Sequence, residues 1–167
     1  RWVDVRAELY RSHPQSPAPG AQPRYFDYDR ALRVHGTVEP AERVHRQIAT
    51  SGDEPYWFTR FARTRFELGG EEQTLDLYWL DGYGGGIFLS FADATSGVET
   101  YRACRYLLDT VKGADLGERD GKLVLDFNFS FNPSCAYDAR WVCPLAPPGN
   151  RLAVPVGGGE RAPLEPS

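Results

Sequence analysis

The chain has 167 residues, enough for one domain with a sizeable core and too few for two. Hydrophobic residues make up 41%, charged 25% and aromatic 13%, which describes a globular chain and excludes a disordered one. The net charge is -4 and only two of the nineteen basic residues are lysine, so no basic tract offers a phosphate-backbone footprint and a nucleic-acid partner is not expected. No apolar run approaches the roughly 20 residues of a membrane span, and no charged-then-apolar leader precedes Trp2, which predicts a soluble, cytoplasmic chain with no membrane partner. Methionine is absent even from position 1, so the chain reads as a trimmed or processed product, compatible with a leader already removed.

Trp2 to Tyr10 carries apolar groups at 2, 5 and 9 and at 3 and 10, a short-helix pattern that Pro14 terminates. Residues 16–23, rich in Pro, Gly and Ala, read as a linker or a strap over the surface. We therefore divide the chain into a helix and strap over 1–24, one β domain over 25–161 and a tail over 162–167.

Within the β domain, 32–38 and 43–50 are expected as two strands parted by a turn at Glu39-Pro40. Residues 56–68 and 73–80 form the clearest hairpin, joined through Gly69-Gly70-Glu71-Glu72, with a slip in alternation that predicts a bulge near Arg60. The loop from Asp81 to Gly86 is glycine-rich, but no helix or GK[ST] signature follows, so it reads as a flexible turn into a strand at 87–91. Asp93 to Gly97 is turn chemistry. Residues 98–110 fit helix and strand spacing alike, and their Thr, Tyr and Val content favours strand. Asp120-Gly121 signals a hairpin into a strand from Leu123, and 152–156 is expected as a last short strand with a tail from Gly157. The sum is a mainly β fold: an antiparallel meander, closed or half-closed into a barrel or roll, with a short N-terminal helix.

The stretch from Leu123 to Asn132 carries the most chemistry. As a continuous strand it would place Leu123, Leu125, Phe127, Phe129 and Phe131 on one face and Asp126, Asn128, Ser130 and Asn132 on the other. Such a polar row is either the wet face of a half-buried sheet or the lining of a ligand cavity. Asp126 beside amides could act as a general acid or base, or could simply pair with an arginine such as Arg105. Tyr101 and Tyr137 could donate hydrogen bonds to a ligand oxygen or serve as core. Glu99 and Glu160 are possible second carboxylates. His45 is a possible base, though a strand histidine is more often structural.

The three cysteines, Cys104, Cys135 and Cys143, are too few for a disulfide scaffold. Buried free thiols are the expected state, and a small Cys135–Cys143 loop is the alternative in an oxidising compartment. Their spacing is a poor match to a zinc site. Cys135 could act as a nucleophile if a base such as His45 approached it. No Ser-His-Asp order, metal motif or nucleotide fingerprint calls for a cofactor, and the sequence leaves the oligomeric state open.

The residues Asp93 to Tyr101, Arg105 to Leu107, Asp126 to Asn128, Phe131 to Tyr137, Cys143 to Leu152 and Gly159 to Arg161 resemble an uncharacterised prokaryotic family, domain of unknown function 1684, over roughly residues 25–161. The resemblance implies a soluble bacterial or archaeal protein and brings no established activity or catalytic residues. The chain departs from the family pattern at Arg102 and Cys104, where glycine is usual, and at Gly149, where glutamate is usual.

Three functions follow as expectations. The first is a small-molecule-binding β-barrel with a cavity lined by Asp126, Asn128, Asn132, Tyr101, Arg105 and Tyr137. The second is a cofactor-independent isomerase, cyclase or hydrolase in the same cavity, with Asp126 as acid or base. The third is an interaction module using the proline-rich loop 144–148.

Overall fold

The structure, a computed structural model, describes residues 1–14, 16–81 and 85–164. Among these residues seven antiparallel strands curl into a half-barrel, preceded by one α-helix, α1 (Trp2–Ser12). The strands are β1 (Arg33–Ile48), β2 (Tyr56–Leu68), β3 (Glu71–Leu80), β4 (Ile87–Phe91), β5 (Arg105–Asp109), β6 (Glu118–Arg119) and β7 (Lys122–Asp126). Their spatial order is β5-β4-β3-β2-β1-β7-β6, a meander whose last hairpin returns to the first strand.

The long strand β1 does most to set the curl. Its start pairs with β7, from Arg33 opposite Asp126 to Gly36 opposite Leu123, and from Thr37 onward it pairs with β2. A Cβ at Gly36 would overlap the Thr64 hydroxyl, so the side-chain-free position lets the two strands close up where β1 changes partner. The expected turn at Glu39-Pro40 is instead a register shift between Pro40 and Val44 within one continuous strand, since a bulge accommodates a residue that cannot donate to the ladder. A second shift between Arg60 and Ala62 is the bulge expected near Arg60. The edge strand β5 is bridged to the irregular chain that follows β7, where Tyr106 and Phe131 exchange backbone hydrogen bonds of 2.8 and 3.0 Å.

Two apolar clusters fill the interior. One gathers Phe66, Leu75, Leu89, Phe91, Leu125 and Phe127; the other stacks Phe58, Tyr78, Phe88, Tyr106 and Phe131 edge to face.

Several expected elements give way to irregular backbone. The strand from Leu123 stops at Asp126, whose carboxylate accepts the Asn128 amide at 3.1 Å and caps a 3-10 turn over Phe127–Phe129. A local side-chain bond of this kind competes with strand continuation, so the two-faced alternation beyond 126 never forms. Residues 98–104 are turns, with the amides of Val98, Glu99 and Thr100 all donating to the Thr95 carbonyl, and only Arg105–Asp109 is strand. Residues 152–156 form no strand, and the expected tail from Gly157 runs through the interior, with Gly158, Gly159 and Glu160 buried. The glycine-rich loop prediction falls largely on residues 82–84, which lie outside the described residues.

The buried face of α1 also differs from the apolar pattern. Arg6 and Tyr10 are buried while Val3 and Val5 are exposed. Arg6 reaches Glu160, which is fully buried, at 2.7 Å, and its guanidinium lies over the rings of Tyr10 and Phe131. An arginine facing inward has no place in a hydrophobic period, so the true docking row was masked.

Two outcomes test this arrangement. At Gly159 φ is +76° and a Cβ would overlap the Ser130 carbonyl, so Gly159→Ala should lose about 3 kcal/mol or more and roughly 6–12 °C in Tm. Gly157→Ala, with open space around it, should stay within about 0.5 kcal/mol in the same denaturant titration. Arg6→Met should cost about 3–5 kcal/mol by stranding the Glu160 carboxylate, and pairing it with Glu160→Gln should recover part of that loss in a double-mutant cycle.

Candidate functional site

The polar residues singled out from the sequence separate into three places. Asp126 and Asn128 lie at one of them. Asp126 is 1% exposed, and its Oδ1 accepts from the amide and from Nδ2 of Asn128, the latter at 2.8 Å. Its Oδ2 accepts from Arg33 Nη1 at 3.1 Å and from the Tyr28 hydroxyl at 3.4 Å. The arginine beside Asp126 is therefore Arg33, its cross-strand neighbour, and not Arg105. Asn128 exchanges two further hydrogen bonds with the backbone of Asp29, at 2.9 and 2.7 Å. The pair thus ties the strap ahead of β1 to the end of β7.

Asp126 and Asn128 also form part of the wall of a cleft of about 740 Å³. Trp2 and Val5 of α1 line one side, Tyr25 to Tyr28, where the strap runs on toward β1, another, and Leu107, Leu108 and Val124 of the sheet with Phe129 of the turn after β7 supply apolar surface. Leu116 and Asp115 come from the loop after β5. Three carboxylates, Asp27, Asp115 and Asp126, face one arginine, Arg1. The cleft exists because β5 and β7 do not pair; β5 is bridged only to Phe131, beyond the end of β7, and α1 and the strap cover the gap between the two strands.

Arg105 is in the second place, nearly fully buried and away from the cleft lining. One nitrogen donates to Asp93 at 2.9 Å and to the Val156 carbonyl at 2.8 Å, while the other reaches the carbonyls of Gly158 and Glu160. Burial lowers its pKa, and the Asp93 charge opposes that effect. Asp93 also accepts from Thr95 and from the Val156 amide, so this cluster clamps the chain at 156–160 onto the turn after β4.

Asn132 and Tyr137 belong to the third. The Asn132 amide and the Tyr137 hydroxyl both donate to Glu160, at 2.8 and 3.0 Å, and Asn132 Nδ2 donates to the Arg161 carbonyl. Burial and then the Glu160 charge drive the Tyr137 hydroxyl pKa up, so it stays a donor. Glu99 is exposed and does not share this site.

The three cysteines come together beside it, Cys104 from 31 residues before Cys135. All are free; Cys104 and Cys143 are buried and Cys135 is half-buried. The Cys135 amide donates to Cys143 Sγ at 3.3 Å, and the Tyr101 hydroxyl lies 3.8 Å from Cys135 Sγ. Hydrogen bonds from the Cys143 thiol, then from the Ser51 and Tyr101 hydroxyls, outweigh burial and pull the Cys135 pKa down to about 6. The same sharing pushes Cys143 up, and burial raises Cys104 to about 12 and Tyr101 to about 12. His45 is engaged elsewhere, 3.0 Å from Asp81 and stacked on Trp57.

The proline-rich loop is fastened down rather than presented. The Leu145 amide donates to Ala49 at 2.8 Å, and the Pro144 carbonyl accepts the Tyr106 hydroxyl at 2.6 Å. Sequence reasoning passed over Asn150, which is fully buried and spans β3 and β4 where they part, accepting from the Asp76 amide and donating to the carbonyls of Asp76 and Ser90. A loop asparagine gives no periodic signal of such a role. Arg33 and Tyr28, the partners of Asp126, were likewise invisible until strand pairing placed them.

No group of His, Cys, Asp or Glu among the described residues is arranged to hold a metal ion. No helix among them is long and apolar enough to cross a membrane.

Comparison with known proteins agrees with this architecture. An uncharacterised protein of Haloarcula marismortui, solved in solution by NMR, is 30% identical and superposes with a TM-score of 0.67, covering 95% of this chain and 89% of its own. No curated protein matches the chain. A family model described as "Protein of unknown function (DUF1684)" matches residues 21–161, which span the end of the strap, every strand and the buried segment through Glu160. The chain belongs to that family.

Proposed function

We propose that the cleft between α1, the strap and the β5–β7 gap binds a small molecule with an apolar body and a cationic or hydroxyl head. The supporting observation is the cleft itself, about 740 Å³ with mostly apolar walls and two exposed carboxylates, Asp27 and Asp115, in its lining beside Arg1, the Asp126 carboxylate being already paired with Arg33. Asn128 and Asp126 belong to its wall; Asn132, Tyr101, Arg105 and Tyr137 act elsewhere, so this reading is narrower than the sequence suggested.

Magnitudes show why the head group matters. A ligand burying about 300 Å² of apolar surface gains on the order of 7 kcal/mol, and association costs of about 4 kcal/mol or more reduce that to weak binding. Selectivity then rests on the polar end, where a cation meets Asp27 and Asp115 in partly solvated surroundings. The proposal is one of binding, because the acceptor positions of Asp126 already hold four donors and leave it poorly placed to move a proton.

Nile red fluorescence provides the test. The neutral dye should bind the protein, and Leu116→Trp, which fills the cleft mouth from an exposed position, should weaken binding about tenfold, equivalent to 1.4 kcal/mol. Dodecylamine should displace the dye at a concentration about tenfold lower than dodecanoate does. Equal displacement by the two would remove the cationic head from the proposal, and unchanged dye binding in Leu116→Trp would remove the cleft.

A further inference from the structure

We infer that Cys135 and Cys143 form a thiol–disulfide exchange site, at which Cys135 attacks a low-molecular-weight disulfide and Cys143 resolves the adduct. The site is independent of the cleft, and nothing in its argument requires a ligand there.

Four observations converge on it. The Cys135 amide donates to Cys143 Sγ at 3.3 Å, which brings the two cysteines together across a loop of seven intervening residues. Cys135 is half-buried whereas Cys143 and Cys104 are buried, which makes Cys135 the most exposed of the three cysteines and the one an incoming reagent meets first. The Tyr101 hydroxyl stands beside Cys135, and Ser51 accepts the Cys143 amide at 3.0 Å, holding the second cysteine in place. Finally, those hydroxyls and the Cys143 thiol stabilise Cys135 as a thiolate, so no histidine base is needed.

The groups facing the pair from the surrounding elements are Tyr10, Tyr101, Cys104, Tyr106 and Lys112. The tyrosines stay protonated and neutral at physiological pH, and Lys112 is the one cation among these five, acting on Cys143.

The chemistry balances. The Cys135 thiolate attacks one sulfur of R–S–S–R; the S–S bond breaks, and RS⁻ leaves and takes a proton from water. Loss of the Cys135 negative charge removes what held the proton on Cys143. Cys143 then releases that proton, attacks Cys135 Sγ and expels the second RS⁻. Two protein thiols become one disulfide, and one small disulfide becomes two thiols.

Cys104 is not the resolving thiol. It is fully buried and its thiol is turned to the Pro144 carbonyl at 4.0 Å, whereas Cys143 Sγ accepts the Cys135 amide.

The experiment uses oxidised glutathione on the intact folded protein, with peptide mass spectrometry as readout. Wild type should end two hydrogens lighter, with a Cys135–Cys143 linked peptide and Cys104 free. Cys143→Ser should stop with one glutathione on Cys135, and Cys135→Ser should take up none. Iodoacetamide labelling of wild-type Cys135 should be half-maximal near pH 6, against a thiol-like midpoint near 8.5 after unfolding in urea. The midpoint is the diagnostic quantity, because a lower pKa also lowers intrinsic nucleophilicity and the rates at neutral pH differ by only a few fold. A lasting glutathione adduct on wild type, a bond to Cys104, equal uptake by Cys135→Ser, or a Cys135 midpoint near 8.5 in the folded protein would each overturn the assignment. The wild-type mapping decides the matter even where a variant fails to fold.

Discussion

An interior enclosed partly by irregular chain has to satisfy backbone polar groups that a sheet would otherwise pair, and that requirement governs this molecule. The half-barrel ends at β5 on one side and at the β7–β6 hairpin on the other, with one bridge between Tyr106 and Phe131. Residues 127–134 and 150–160 complete the wall without forming strands. Side chains supply the missing hydrogen bonds: Asn150 between β3 and β4, Asp93 and Arg105 around 156–160, Asn128 at the strap, and Glu160 beneath α1. Each has lost its water, so each is a stabilising contact only as part of a complete set; removing one partner leaves a buried acceptor or donor with no replacement.

The same requirement explains why the segment 158–160 lies deep. Gly159 passes against Ser130 and Phe127 at a distance no side chain permits, which places Glu160 under α1 to meet Arg6. The helix is thus held by charge at its centre and by aromatic rings around it, while its first turn overhangs the β5–β7 gap. The cleft is a by-product of this mode of attachment: a sheet that fully closed would have filled it with strand.

Legibility follows from where local chemistry decides the outcome. The hairpin from Tyr56 to Leu80, the bulge near Arg60 and the Asp120-Gly121 turn were readable, because alternation and turn residues act over a few positions. The half-closed, mainly β architecture and the family resemblance were readable for related reasons. The 127–132 segment was misread because Phe127, Phe129 and Phe131 imitate strand alternation, while Asp126 caps its own downstream turn. Glu160 appeared only as a carboxylate of undetermined facing, since its partner Arg6 is 154 residues away. The gathering of Cys104, Cys135 and Cys143 depends on the path of the 133–148 loop, which has no periodicity to read.

A buried polar residue is informative about function only once its partners are counted. Asp126, Asn128 and Asn132 looked like a site because the sequence shows their chemistry and hides what occupies it. In the fold, Asp126 holds four donors and the Asn132 side-chain amide donates to Tyr137 and Arg161, so both are committed to holding chain segments together. Cys135 is the opposite case: its hydrogen bonds stabilise the reactive ionised form rather than consuming it, and the residue is only half-buried. Donors aimed at a carboxylate fix structure, because the carboxylate is already charged in water. Donors aimed at a thiol change what the group can do, because they convert a mostly protonated sulfur into a nucleophile.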